Sequence, residues 1–112
     1  HRAPHHIAME MLLSGDPQSA EAMARWGVVN RVCAPGQALE TAVALAETIA
    51  VNGPLAVIAT KEIATRSRGE NWSAAEGWVR QMEIAGPVFG SEDFREGLLA
   101  FAQKRPPQWS GR

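Results

Sequence analysis

The chain has 112 residues, 46% of them hydrophobic and 21% charged, a balance that suits one folded domain and argues against disorder. Eleven basic against twelve acidic residues leave a net charge of −1 with no basic block, which argues against nucleic acid or an anionic membrane as the main partner. One cysteine, Cys33, allows no internal disulfide and points to a reducing, cytoplasmic setting.

No apolar run approaches the ~20 residues of a membrane span, and no signal-peptide pattern opens the chain. A domain of this size would bury roughly 65% of its unfolded surface. His1 is not an ordinary initiator, so the sequence reads as a segment of a longer polypeptide.

The first helix is expected to begin near Pro4, which the first turn tolerates, with Ile7, Ala8, Met11 and Leu12 as its apolar face. Gly15 stops it, and Asp16-Pro17 starts a turn. His5 and His6 point about 100° apart on a helix, so they do not chelate a metal as an i, i+4 pair would. Ser19 is placed to cap a second helix with Glu21 in its first turn, and Gly27 ends it after a few residues. Val28, Val29, Val32 and Cys33 then read as one short strand, closed by Pro35-Gly36, with the thiol buried among valines. A lone strand needs a partner outside the segment, or it is an extended connector.

A third helix is expected over residues 37–51, with Leu39, Val43, Ala46 and Ala50 as its stripe and Ala42 and Ile49 widening it. Asn52-Gly53-Pro54 breaks it, and a fourth follows over 55–66, carrying Leu55, Ile58, Ala59 and Ile63. The many alanines predict an antiparallel hairpin of these two helices. Ser73 and Glu76 have capping-box spacing for a fifth helix over 74–85, which Gly86-Pro87 should end. Trp72, Val79 and Met82 share one of its sides, with Trp78 one step round.

Ser91 caps the last helix, with Glu92 and Asp93 in its first turn and Lys104-Arg105 in its last, the order that suits the macrodipole. Phe94, Leu98 and Phe101 form its apolar seam, Pro106-Pro107 forbids continuation, and the ending is extended. The fold class is therefore mainly α, about six helices plus one short strand.

The residues themselves offer little catalytic chemistry. There is no Gly-rich phosphate loop, no Cys/His metal spacing and no G-x-S-x-G elbow. Glu62 beside Lys61 and Glu96 beside Arg95 read as surface charges, and Glu92-Asp93 as helix-dipole partners. Glu10, on the first helix, is better placed than these to face a pocket, but no spacing or neighbour in the sequence gives it the setting of a general acid. No catalytic residue and no metal ligand is assigned.

Four blocks in order carry a resemblance. They are Met11-Leu-Leu-Ser-Gly-Asp16 continuing through Ser19 and Glu21 to Trp26-Gly-Val-Val-Asn-Arg-Val32; residues 54–62, Pro-Leu-Ala-Val-Ile-Ala-Thr-Lys-Glu; residues 91–97, Ser-Glu-Asp-Phe-Arg-Glu-Gly; and residues 100–106, Ala-Phe-Ala-Gln-Lys-Arg-Pro. Together they resemble the C-terminal portion of the crotonase superfamily, the enoyl-CoA hydratases and isomerases. Trp26 departs from the smaller aliphatic or charged residues usual before that glycine.

The resemblance implies that residues 1–112 are the C-terminal helical, trimerisation domain of a crotonase-like α/β enzyme whose catalytic spiral domain lies upstream. It implies an acyl-CoA substrate with no separate cofactor, hydration of a 2-enoyl-CoA as the typical reaction, and a homo-oligomer, a trimer or dimer of trimers. In that family, two backbone N–H groups stabilise the thioester enolate and glutamates serve the reacting carbons, all upstream of the matched region. Isomerase, decarboxylase and hydrolase reactions share the same blocks.

By position, Phe101 and Lys104 would hold the adenine and phosphate end of CoA. Each also has a plain alternative: Phe101 as the end of the core seam, Lys104 as a helix-end cation. Trp72 and Trp78 stand between acyl-pocket lining and core or interface packing. The helices over 55–63 and 74–85 carry more apolar surface than the layer can bury, which predicts contact with other subunits or the upstream domain. A rival of another class is a non-catalytic helical interaction module, a self-contained monomer with no exposed apolar seam.

Overall fold

Six α-helices, and no strand, form among residues 3–112, the part that the computed structural model describes. They are α1 (His5–Ser14), α2 (Ala20–Arg25), α3 (Ala38–Ala50), α4 (Pro54–Gly69), α5 (Ala74–Phe89) and α6 (Glu92–Ala102). Backbone contacts divide the chain into two units, His1–Val43 and Ala44–Arg112.

In the first unit, local chemistry sets nearly every boundary. Pro4 stands just outside α1, and its carbonyl accepts from Ala8 N at 3.0 Å. Gly15 takes φ +69° and donates back to Met11 O at 3.1 Å, ending the helix. Ser19 Oγ accepts from Ala22 N at 3.1 Å and starts α2. Eight residues later the chain leaves the helix through Gly27 at φ +73°. Gly27 N bonds Ala24 O at 3.0 Å and Val28 N bonds Met23 O at 2.9 Å, the paired bonds of a Schellman ending.

The strand expected at Val28, Val29, Val32 and Cys33 is not formed. Residues 28–34 run as bends and coil, because a ladder needs a second backbone and none is offered among the described residues. Cys33 is half-buried rather than buried. Pro35-Gly36 makes the expected turn, with Gly36 at φ +84° and Gln37 N on Ala34 O at 3.1 Å.

The second unit begins inside α3. Asn52 ends that helix by donating its side-chain amide to Thr48 O at 3.1 Å and Ile49 O at 3.0 Å. Pro54 opens α4 at the position where no N–H is needed. The expected α3–α4 hairpin is absent, since the chain bends by 109° between the two. Instead α4 packs on α5, which the connection 70–73 turns back against it. Asn71, at φ +50°, supplies the left-handed residue of that connection.

The capping box at Ser73 and Glu76 forms in both directions. α5 passes the expected stop at Gly86-Pro87 and runs to Phe89. Proline's fixed φ suits a helix, and only the last residues follow the missing N–H. Ser91 then accepts from Phe94 N at 3.0 Å to open α6, and the Phe94 ring meets Phe89 edge-on at 5.4 Å.

Among the described residues the buried apolar side chains are alanines, Ala22, Ala59 and Ala100. The apolar stripes read from the sequence exist, but much of them is uncovered: Leu39 is 76% exposed and Trp78 66%. A self-contained core of large side chains is therefore not built.

Candidate functional site

The end of α6 brings Phe101 and Lys104 close in the backbone, by a different route from the expected one. α6 stops at Ala102, so Lys104 and Arg105 lie beyond its last turn rather than in it. Lys104 N donates to Phe101 O at 3.2 Å and Arg105 N to Ala100 O at 3.1 Å. This is again the Schellman pattern, and it puts Lys104 at the left-handed position, φ +52°. Glycine usually stands there, because a Cβ crowds the following carbonyl. Lys104 is thus not part of a helix face shared with Phe101. It sits on the turn that closes the helix.

Phe101 is 87% exposed, which corrects the reading that it completes a buried seam. Phe94 is half-buried and Leu98 largely open, and in the last turn of α6 the side of Ala100 is buried while that of Phe101 is not. The ring is therefore available to a flat apolar ligand or to another protein surface.

Adjacent cations divide their roles. Arg105 grips Glu96 with Nη1 on Oε1 at 2.6 Å and Nη2 on Oε2 at 2.9 Å, a bidentate pair. Its Nε donates to Gln103 Oε1 at 2.7 Å, and Nη1 also reaches Pro106 O at 3.1 Å. Glu96 Oε1 further accepts from Gln108 N at 2.7 Å. The Arg105 guanidinium, and after it the Gln108 N–H, hold the Glu96 carboxyl down to about 2. The Lys104 ammonium, one residue away, makes no hydrogen bond or ion pair among the described residues.

The tail beyond is held as firmly. Asp93, only 4% exposed, accepts from Ser110 N at 2.6 Å and from Gly111 N, while its own N–H donates to the Arg112 oxygen at 3.1 Å. Trp109 Nε1 donates to Val51 O at 2.8 Å, and its ring lies over Gly53 and Gly97. Between α4, α6 and this indole is a hollow of about 210 Å³, lined by Ala56, Val88, Phe94, Leu98 and Trp109. Neither Phe101 nor Lys104 lines it.

Sequence reading took Glu96 and Asp93 for surface and dipole charges and did not single out Trp109. A charge partner nine residues away across a helix end leaves no periodic trace, although the hard stop at Pro106-Pro107 was a sign that the tail folds back. Glu10 is exposed, and among the described residues no three His, Cys, Asp or Glu side chains converge.

The segment is thus helical throughout its ordered elements, with capped and locally closed ends, uncovered apolar faces, and a ring and a cation presented at the end of α6. Comparison with known proteins gives the family. The profile described as Enoyl-CoA hydratase/isomerase matches residues 1–112. Carnitinyl-CoA dehydratase of Proteus mirabilis is 42% identical over 115 residues, 99% of this chain and 43% of that protein. The Salmonella arizonae carnitinyl-CoA dehydratase is 40% identical over 96% of this chain and 42% of its own length. The crystal structure of an enoyl-CoA hydratase from Mycobacterium tuberculosis covers 99% of this chain and 43% of that one, with a TM-score of 0.93 and 51% identity. One from Mycobacterium marinum gives 0.92 and 53% at the same coverage. The chain belongs to the enoyl-CoA hydratase/isomerase family, and spans less than half the length of these relatives.

Proposed function

We propose that this chain is the C-terminal helical part of an acyl-CoA enzyme, and that the enzyme adds water across the 2,3 double bond of a 2-enoyl-CoA. The family and the names of its relatives support a CoA thioester. The observation that carries a role for this segment is at the end of α6, where an exposed Phe101 ring is followed by Lys104, whose ammonium has no partner among the described residues and whose backbone is held at a left-handed turn. An adenine can pack on the ring, and the ammonium can meet a phosphate as a flexible point charge. CoA is then part of the substrate, and no resident cofactor is invoked. The oxyanion donors and glutamates are assigned to the part of the relatives that this chain does not span.

The segment's second role is assembly, in a trimer or dimer of trimers, and its setting is the cytoplasm. Ile58, Trp78 and Val79 stand exposed on α4 and α5, which supports burial against another subunit or an upstream domain and runs against the self-contained monomer of the rival reading. Light scattering on the enzyme carrying this chain should give a multiple of three protomers, and a monomer at micromolar concentration overturns the assembly.

The reaction is tested by following loss of the conjugated thioester absorbance with 2-enoyl-CoA substrates of several chain lengths. No loss with any of them overturns hydration. In the same assay Lys104→Ala should raise KM about fivefold, the size of one exposed charge contact, and leave kcat little changed. A thioester lacking the nucleotide should be affected much less. Equal weakening of both substrates would reduce Lys104 to a structural charge.

A further inference from the structure

We propose that Glu96 and Arg105 are positioning residues for Lys104, and so set the affinity for the nucleotide end of CoA without touching it. This rests on the reading of Lys104 as a CoA contact. A residue with a Cβ persists at a left-handed φ only when its surroundings over-determine it. Lys104 is bracketed on both sides. Arg105, the next residue, is fixed bidentately to Glu96, and Gln103, the residue before, is tied through its Oε1 to Arg105 Nε. Glu96 also holds Gln108 N, which stops the following chain from relaxing away. Two backbone bonds to Phe101 O and Ala100 O complete the turn.

The same set leaves the charges unequally used. Arg105 has protein acceptors at Nε, Nη1 and Nη2, whereas the neighbouring ammonium has none among the described residues. A helix end that needed only a cation would be served by Arg105 alone, with glycine at position 104 to close the turn without crowding. Placing a lysine there keeps a mobile charge on a fixed root whose backbone is bonded to that of the exposed Phe101. Less entropy is lost when such a charge meets a phosphate than when it hangs from a frayed end.

The sign of one substitution separates positioning from general electrostatics. Glu96→Gln removes a negative charge, so the long-range field alone would tighten binding of an anion. Positioning demands the opposite. Calorimetric titration of coenzyme A into the enzyme carrying this chain should show Glu96→Gln weakening affinity about threefold, part of the roughly fivefold loss for Lys104→Ala. Arg105→Lys conserves charge and loses the bidentate grip, and it should weaken affinity by a similar factor, which guards against one variant folding poorly. Combined with Lys104→Ala, Glu96→Gln should add nothing.

If Lys104→Ala weakens binding while Glu96→Gln and Arg105→Lys leave it unchanged or tighter, the positioning role is overturned and the CoA contact stands. If Lys104→Ala itself changes nothing, the contact is overturned and the positioning role with it. Additive losses in the double variant would make the Glu96–Arg105 pair a strut for the fold and overturn the inference.

Discussion

Gly111 donates its N–H to both carboxylate oxygens of Asp93, at 3.1 Å each, across eighteen residues of sequence. Ser110 adds its N–H at 2.6 Å and its hydroxyl at 3.1 Å to the same Oδ1. One buried carboxylate thus collects donors from two consecutive tail residues, while the Arg112 oxygen satisfies Asp93 N, one of the open N–H groups of the first turn of α6. The tail and the helix start cap each other.

A helix-dipole charge would be worth about 0.5 kcal/mol and leave the tail alone. A clamp behaves differently. Asp93→Ala strands several donors and should cost about 3 kcal/mol, and Asp93→Asn, which keeps one acceptor oxygen, about 1 kcal/mol. Urea unfolding of the protein measures both, and chymotryptic cleavage after Trp109 should become fast in Asp93→Ala. An unchanged cleavage rate would return Asp93 to the dipole role.

A Cβ at Gly97 would lie 3.3 Å from Trp109 Cη2 and 3.5 Å from Cζ3. The indole has little room to retreat, because its Nε1 is bound to Val51 O and its ring also meets the Gly53 position at 3.6 Å. A glycine inside a helix normally gains about 1 kcal/mol on becoming alanine. At Gly77 in α5, where the nearest atom is Trp72 Cβ at 4.0 Å, Gly77→Ala should show most of that gain. Gly97→Ala should instead lose about 1 kcal/mol through crowding. Thermal melts of the two variants side by side decide it, and equal stabilisation would mean that the indole yields freely.

Most boundaries governed by adjacent residues were legible in the sequence, the stop at Gly86-Pro87 excepted, and those governed by distant ones were not. Gly15, Ser19, Gly27, Ser73 with Glu76, and Ser91 each act on backbone within a turn, and each stands where the residue types place it. The four ordered blocks also gave the family. The strand at Val28–Cys33 failed because β-branched residues mark a preference that only a partner can realise. The α3–α4 hairpin failed because alanine content says that two axes can approach, not that they do.

Lys104 misled for a related reason. Its charge suits a helix end, while its left-handed backbone is a place where glycine is expected and a lysine is not. In the block at residues 91–97, Glu96 and Gly97 make sense only with the tail folded over them, Glu96 beneath Arg105 and Gly97 beneath Trp109. The signature is the footprint of a long-range contact, so its letters could be matched before their purpose could be read.

The Glu96 carboxyl gives the chain an acid-sensitive element. Its folded pKa, about 2, lies below the ordinary value of 4.5, so its contribution to stability is fully present above pH 4.5 and is lost as pH falls toward 2. Glu76, lowered by the Ser73 hydroxyl and backbone, and Glu70, lowered by Arg66 and then Trp72, act in the same direction. Melting temperatures measured from pH 6 to pH 2.5 should therefore fall with acid, and Glu96→Gln should start lower but fall less. A variant curve parallel to the wild-type one would show that Glu96 titrates normally and that its contact with Arg105 carries little weight.

Replacing Lys104 by glycine sets stability against binding. The left-handed turn is retained, with both Schellman bonds available, and the crowding of Cβ at φ +52° disappears. That crowding is worth about 1–2 kcal/mol, from which the extra freedom of glycine in the unfolded chain takes back a part, leaving a gain of about 1 kcal/mol. The ammonium is gone, so affinity for CoA should fall about fivefold, and the loss should shrink in high salt, where the wild-type contact is itself screened. Lys104→Ala should bind as poorly but without the higher melting temperature, because alanine keeps the Cβ. The pair of variants thus separates the backbone effect from the side-chain effect at one position. If Lys104→Gly melted later and bound CoA as tightly as the wild type, the lysine would be a tolerated misfit at a glycine site, and the nucleotide contact would have to come from elsewhere.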